Sequence, residues 1–161
     1  MQVQARLAEQ RLDPGDELAS FLADLSGEGA VVSFVGLARP RSHDGKIVER
    51  LFLDHHSRLT QRSLDAIAAN AAARFDVSAI RIVHRRGEVP AGHPIVFAAA
   101  AADHRRAAFD AADYLMDRLK TEAMFWKREE GAGGSAWIEP TDQDREDRDR
   151  WSKPCPESTR A

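Results

Sequence analysis

A chain of 161 residues is long enough for one domain with a substantial core and short for two. With 43% hydrophobic and 30% charged residues it has the composition of an ordinary globular protein, which excludes disorder over its whole length. A formal net charge of -3 gives no global positive field for nucleic acid or a membrane surface, so any anion site must be built from local cations.

The first helix is signalled by Asp13-Pro14-Gly15-Asp16-Glu17: an N-cap, a proline at the first helical position and acids at the positive end of the dipole. Leu18, Phe21, Leu22 and Leu25 follow as one apolar stripe, and Gly27 and Gly29 end the element. Ala30 to Val35 reads as a short buried strand, Leu37 to Gly45 as a loop made cationic by Arg39 and Arg41, and Ile47 to Asp54 as a second strand. A long helix is expected from Ser57 to Phe75, with Leu64, Ile67, Ala68, Ala71 and Phe75 at helical spacing. Ala79 to His84 and Pro94 to Ala101 read as strands separated by a turn containing Gly87, Pro90 and Gly92. The alanine run at 98–102 favours helix by propensity, but it continues Ile95-Val96-Phe97 and is assigned to the strand. Asp103 can cap a helix to Thr121, with Phe109, Ala112, Met116 and Leu119 inward. Met124 to Glu129 and Ala136 to Glu139, joined by the glycines at 131–134, read as a hairpin. From Pro140 the chain becomes charge-rich, and Pro154 and Pro156 suggest a loose tail. Helices interspersed among hairpin-like strands make the expected class α+β, with a single domain over 1–140 and a charged segment and tail over 141–161.

The single Cys155 excludes an intramolecular disulfide and any multi-cysteine zinc or iron–sulfur site. The adjacent His55 and His56 make a poor metal face, and no phosphate-binding loop or nucleophile elbow occurs. No apolar run approaches the roughly 18 residues of a membrane span. The first residues lack the apolar region of a signal peptide, so a cytoplasmic location is expected.

Three patches set cations beside apolar residues. In the first, Phe34-Val35-Gly36 precedes Arg39 and Arg41; a glycine at a strand exit can let backbone approach an anion, and a solvated loop accounts for the same residues. In the second, His104-Arg105-Arg106 stands at a helix start, where cations oppose the dipole unless an anion sits on the free N–H groups. A hydrogen-bonding histidine and solvated arginines are the structural alternative. In the third, Lys120 precedes Met124-Phe125-Trp126-Lys127. At about 100° per residue, Arg105, Met116 and Lys120 share one side of the helix, and Lys127 points opposite Trp126 in a strand. A lysine among cations and apolar walls loses its proton more readily and can serve as nucleophile or base. A lysine that merely complements a helix C-terminus has the same sequence.

In order, GAVVSFVG (29–36) with Arg39, LDHH (53–56), IVHRRGEVPAGH (82–93), ADHRRAAFDAADYLMDRLK (102–120), FWKRE (125–129) and AWIE (136–139) resemble the large subunit of molybdopterin synthase, the MoaE family. The pairing of HRRAAFDAADYLMDRLK with FWKRE is the most specific part. The sequence departs from the family's usual pattern in the loop after Arg39, at His56 and at Met124. The resemblance implies an α/β hammerhead with additional antiparallel strands and a homodimer within a heterotetramer. Each end of that dimer would hold a small ubiquitin-like subunit whose Gly-Gly tail carries a thiocarboxylate. The implied reaction moves sulfur from that tail to cyclic pyranopterin monophosphate, making the molybdopterin dithiolene without metal or redox cofactor. Lys120 and Lys127 then match the active-site lysines, His104 and Arg105 the histidine–arginine pair, and Phe34, Arg39 and Met116 further substrate-binding positions. A non-catalytic module for pterin or nucleotide phosphates is the competing reading, which would keep the cationic pocket but tolerate loss of either lysine.

Overall fold

A computed structural model describes residues 1–152; Cys155 and the prolines at 154 and 156 lie outside it. The order of elements is β1 (Gln2–Ala8), α1 (Pro14–Ala23), β2 (Ala30–Leu37), β3 (Arg50–His55), α2 (Ser57–Arg74), β4 (Ala79–Arg85), β5 (Gly87–Pro90), β6 (Pro94–Ala102), α3 (Arg105–Thr121), β7 (Phe125–Gly131), β8 (Gly134–Ile138) and α4 (Asp142–Asp149). A short 3-10 turn, Arg150–Ser152, follows. The class is α+β, as the sequence indicates.

Two four-stranded sheets organise the described residues. The first runs β1-β4-β6-β2, with β1 parallel to β4 and the other pairs antiparallel. Its central strand β6 explains the alanine run. Ala98, Ala100 and Ala102 face α2 and α3, while Phe97, Ala99 and Ala101 face α1. Covered on both faces, such a strand reads as a continuous apolar run, and methyl-sized side chains let three helices approach it closely. On the α2–α3 side Leu64, Ile67, Ile80, Ile82 and Leu115 are almost fully buried; each such side chain contributes about 1.5–3 kcal/mol. The second sheet, β5-β3-β7-β8, is antiparallel throughout and closes a smaller core of Ala38, Leu51, Leu53 and Val89. Phe125 packs against both the larger core and this one, joining the two sheets.

Local signals hold where chemistry is local. The Asp13 carboxylate accepts from the N–H groups of Gly15 (2.9 Å) and Asp16 (3.2 Å), capping α1 as expected. The hairpin β7–β8 closes with Gly131 opposite Gly134, which has φ +111. Gly131 serves a second purpose: a Cβ there would lie 2.3 Å from the Ile47 carbonyl oxygen, so only glycine lets loop 39–48 lie against β7. Gly29 similarly passes 2.4 Å, measured from an ideal Cβ, from the Asp103 carbonyl oxygen, tying the start of β2 to the approach to α3.

Six expectations need correction. The inward face of α3 is Ala108, Ala111, Ala112, Leu115 and Leu119; Phe109 lies one position round from it and is 55% exposed. On α1, Phe21 points inward and Leu22 is half exposed. The N-cap of α3 is His104, one residue after Asp103, and no side chain caps it. Gly87 to Pro90, expected within a turn, pairs with β3 as strand β5, and β3 itself begins at Arg50 rather than Ile47. The charge-rich stretch after Pro140 is helical to Asp149 and docks on α3. Arg150 reaches Asp113 (2.6 Å) and Asp117 (2.7 Å), and the Trp151 indole N–H donates to Asp117 at 2.6 Å. Arg150 and Asp113 are half exposed, and surface ion pairs of this kind are worth at most about 1 kcal/mol each. The larger contribution comes from Trp151, whose ring lies edge-on to Phe75 (5.7 Å) and Tyr114 (5.4 Å). Among the described residues, no helix is long and apolar enough to cross a membrane.

Candidate active site

Where the two sheets meet the C-terminal end of α3, a cavity of about 290 Å³ opens. Lys120, on the last turn of α3, enters from one side, and Arg39, in the loop after β2, from another. Lys127 reaches it from β7, because Phe125, Lys127 and Glu129 share one face of that strand while Trp126 points out, 51% exposed. Register fixes the depth of Lys127, which pairs with the fully buried Leu53 on β3 and with Ile138 on β8. The cavity shares Arg39, Lys120, Glu129 and Asp144 with a wider groove of about 700 Å³ formed by loop 39–48 and the β7–β8 hairpin. A volume of that size suits a small-molecule ligand.

The electrostatics single out Lys127. Burial and then the neighbouring Lys120 ammonium push it down to about 8, with Asp144 opposing. About a tenth of the side chain is then a free amine at pH 7, ready to take a proton or attack an electrophile. Behind it, His84 of β4 is buried and stacks on Phe125 (centroids 4.1 Å, 22°). Its Nδ1–H donates to the Arg85 carbonyl at 2.8 Å. Burial, then the Lys127 charge, push His84 down to about 3, so this buried ring is neutral at physiological pH. Asp144 is held below the usual carboxylate range: burial works against its charge, but the Thr141 N–H and hydroxyl, Lys120 and Lys127 outweigh it.

The sequence-expected residues divide into two groups. Arg39, Lys120 and Lys127 converge on the cavity. Phe34, His104, Arg105 and Met116 do not line it. Phe34 is 42% exposed on the edge strand β2, and Met116 packs half-buried against the larger core. His104 and Arg105 are exposed at the N-terminus of α3. Arg105 shares a helix with Lys120, yet fifteen residues of rise set them roughly 22 Å apart. Within one chain the cations Arg39, Lys120 and Lys127 are matched by Glu129, Glu139 and Asp144. Two further residues, His84 and Asp144, were not assigned to the site from sequence. A lone histidine in an apolar strand gives no signal of what lies behind it, whereas Thr141-Asp142-Gln143-Asp144 carries the spacing of a capping box. His55 and His56 have structural partners: His55 Nε2 accepts from Arg86 at 2.8 Å, and His56 caps α2.

The chain is thus a mixed α+β fold with a cavity, lined by Lys120 and Lys127, at the junction of its two sheets. Residues 7–122 match the family described as MoaE protein. Over 91% of its length the chain is 44% identical to the molybdopterin synthase catalytic subunit of Caulobacter vibrioides, covering 96% of that protein. It is 43% identical to the subunit of the same name from Pseudomonas aeruginosa, over 92% of this chain and 98% of that one. A solved molybdopterin biosynthesis MoaE protein from Burkholderia ambifaria superposes with a TM-score of 0.77 at 33% identity, covering 95% of this chain and 99% of the other. The chain belongs to the MoaE family.

Proposed function

We propose that the chain is the catalytic subunit of a molybdopterin synthase, a sulfurtransferase of the cytoplasm acting in molybdenum cofactor biosynthesis. In this reading a catalytic domain over 1–140 receives the thiocarboxylate tail of a small ubiquitin-like subunit and passes its sulfur to cyclic pyranopterin monophosphate. The observation that carries it is the convergence of Lys120 and Lys127 on one cavity, with the Lys127 amine brought to about 8. Both reactants are anions, so ground-state binding calls for cations, while the transfer needs a group able to exchange a proton near neutral pH. Lys120 would act nearest the moving sulfur, and Lys127 would hold oxyanion charge or shuttle the proton. Arg39 would meet the phosphate.

The charge balance of the single-chain cavity bears on assembly. Three cations against three carboxylates do not favour two anionic reactants. A second copy could bring the uncapped N-terminus of α3, with His104 and Arg105, to the lysines of the first and tip that balance. Exposed Phe34, Val35 and Leu37 on the edge strand β2, and Phe109 on α3, offer apolar surface for such contact. The full chain should therefore be a dimer in light scattering at micromolar concentration; a monomer, with or without the small subunit, contradicts this assembly.

The reading is tested by supplying the full chain with a thiocarboxylated small subunit and the pterin phosphate and following dithiolene formation. Arg105→Ala should weaken pterin phosphate binding by about one to two decades, the worth of a charge-assisted hydrogen bond, and leave docking of the small subunit unchanged. Lys at this position should restore only part, since it lacks the planar fork. Calorimetric titration with each ligand separately decides it: unchanged substrate affinity with lost partner affinity would move Arg105 from the substrate site to the subunit interface.

A further inference from the structure

The segment after Pro140 lies beyond the family match at residues 7–122, yet it supplies part of the cavity wall. Asp144, on the first turn of α4, faces both the cavity and the outer groove. Its carboxylate is fixed in place. One oxygen accepts from the Thr141 N–H at 2.8 Å and from the Thr141 hydroxyl at 2.8 Å, while the Asp144 N–H donates back to Thr141 Oγ1 at 3.1 Å. The far end of the helix is secured separately, by Arg150 and Trp151 on α3. An eight-residue helix with no buried residue of its own is thus pinned at both ends, with one carboxylate lining the same cavity as the two lysines.

We propose that Asp144 is a positioning residue of the active site, a fixed counter-charge that the docking of α4 holds against the Lys120–Lys127 pair and that keeps this pair cationic. The inference rests on the function proposed above, and it names a residue that acts through the lysines. Lys127 is faced by Lys120 from α3, Arg39 from the loop after β2, neutral His84 from β4, Glu129 along β7, Glu139 after β8 and Asp144 from α4. Burial and Lys120 both drive Lys127 toward the neutral amine, and Asp144 is the carboxylate whose field opposes them. The effect is mutual, since the two lysines help keep Asp144 ionised. A rigid carboxylate is suited to this task. A flexible one could swing into a direct ion pair and block the site.

The test is an NMR pH titration of the Lys127 side chain in the full chain with ¹³C-enriched lysine, assigned by the signal lost in Lys127→Arg. Asp144→Asn keeps an acceptor for Thr141, so α4 stays capped, but removes the charge. It should raise the acid dissociation constant of Lys127 by on the order of threefold, the scale of one charge acting across a partly solvated gap. Asp144→Glu should recover most of the change. Arg150→Gln, which loosens α4 while leaving Asp144 in the chain, should shift Lys127 in the same direction by less. A Lys127 titration unchanged in Asp144→Asn, with the amide signals of residues 141–149 in place, overturns the proposal. If the titration moves, the proposal stands, and the pH profile of sulfur transfer should move to lower pH by the same factor. A profile that does not follow would count against the sulfur-transfer role of Lys127, not against the counter-charge.

Discussion

Replacing Lys120 with alanine is expected to cut sulfur transfer by at least about a hundredfold, some 2.7 kcal/mol of barrier, with folding and small-subunit binding nearly intact. The separation of the two effects follows from where the side chain sits. Lys120 is exposed on the last turn of α3, where its contribution to stability is the favourable pairing of a cation with the negative end of a helix, about 0.3–1 kcal/mol. Its contribution to the cavity is larger, for it is a cation shared by the inner cavity and the outer groove and the one that helps lower Lys127. Removing it therefore takes away one of the two amines and lets the other become more basic, so the free-amine fraction of Lys127 at pH 7 also falls. Single-turnover rates together with thermal melts separate these contributions. A variant that keeps more than about a tenth of the wild-type rate, under 1.4 kcal/mol of barrier, would remove Lys120 from the chemistry and favour a pocket that merely binds.

A second large effect is expected in acid. His84 takes up a proton near pH 6.5 when the chain is unfolded, but only near 3 when folded, because burial and then Lys127 oppose the imidazolium. Between those values the unfolded state binds a proton that the native state refuses. Stability from this residue is thus full above about pH 6.5 and is lost as pH falls, by up to about 1.4 kcal/mol per unit. The total by pH 3 is on the order of 4 kcal/mol, a large share of the roughly 5–15 kcal/mol that holds a domain together. His84→Gln retains an N–H donor for the Arg85 carbonyl but cannot be protonated. It should be less stable than wild type at pH 7, since it loses the stack on Phe125, yet lose less on acidification. Urea unfolding at pH 7, 6, 5 and 4 compares the two slopes. Parallel curves would assign the acid sensitivity to carboxylates and leave His84 without a part in it.

The sequence by itself determined the elements whose signals are local. Asp13-Pro14 marks the start of α1, the stripe from Leu64 to Ala71 marks the buried face of α2, and the glycines at 131–134 mark the hairpin that carries Lys127. For Arg39, Lys120 and Lys127 the spacing left a solvated loop and a helix-terminal cation open, and the resemblance carried by HRRAAFDAADYLMDRLK and FWKRE pointed to them, together with Phe34, His104, Arg105 and Met116. Tertiary structure alone decided what depends on partners distant in sequence. Strand β1 does carry a local signal, Val3, Ala5 and Leu7 alternating with Gln2, Gln4 and Arg6, but its pairing with β4, more than seventy residues on, is decided only in the folded chain. Its backbone is completed by Gln61 of α2, which donates to the Ala5 carbonyl and accepts from the Leu7 N–H. The helix α4 looked like solvated charge because its anchor, Trp151, finds Phe75 and Tyr114 only in the folded chain. The same reason separates Arg105 from Lys120. Angular position on a helix follows from residue spacing, and both sit on one side, but whether two residues share a site depends on axial distance and on which surfaces meet. Periodicity reports which way a side chain points; packing settles what it meets there.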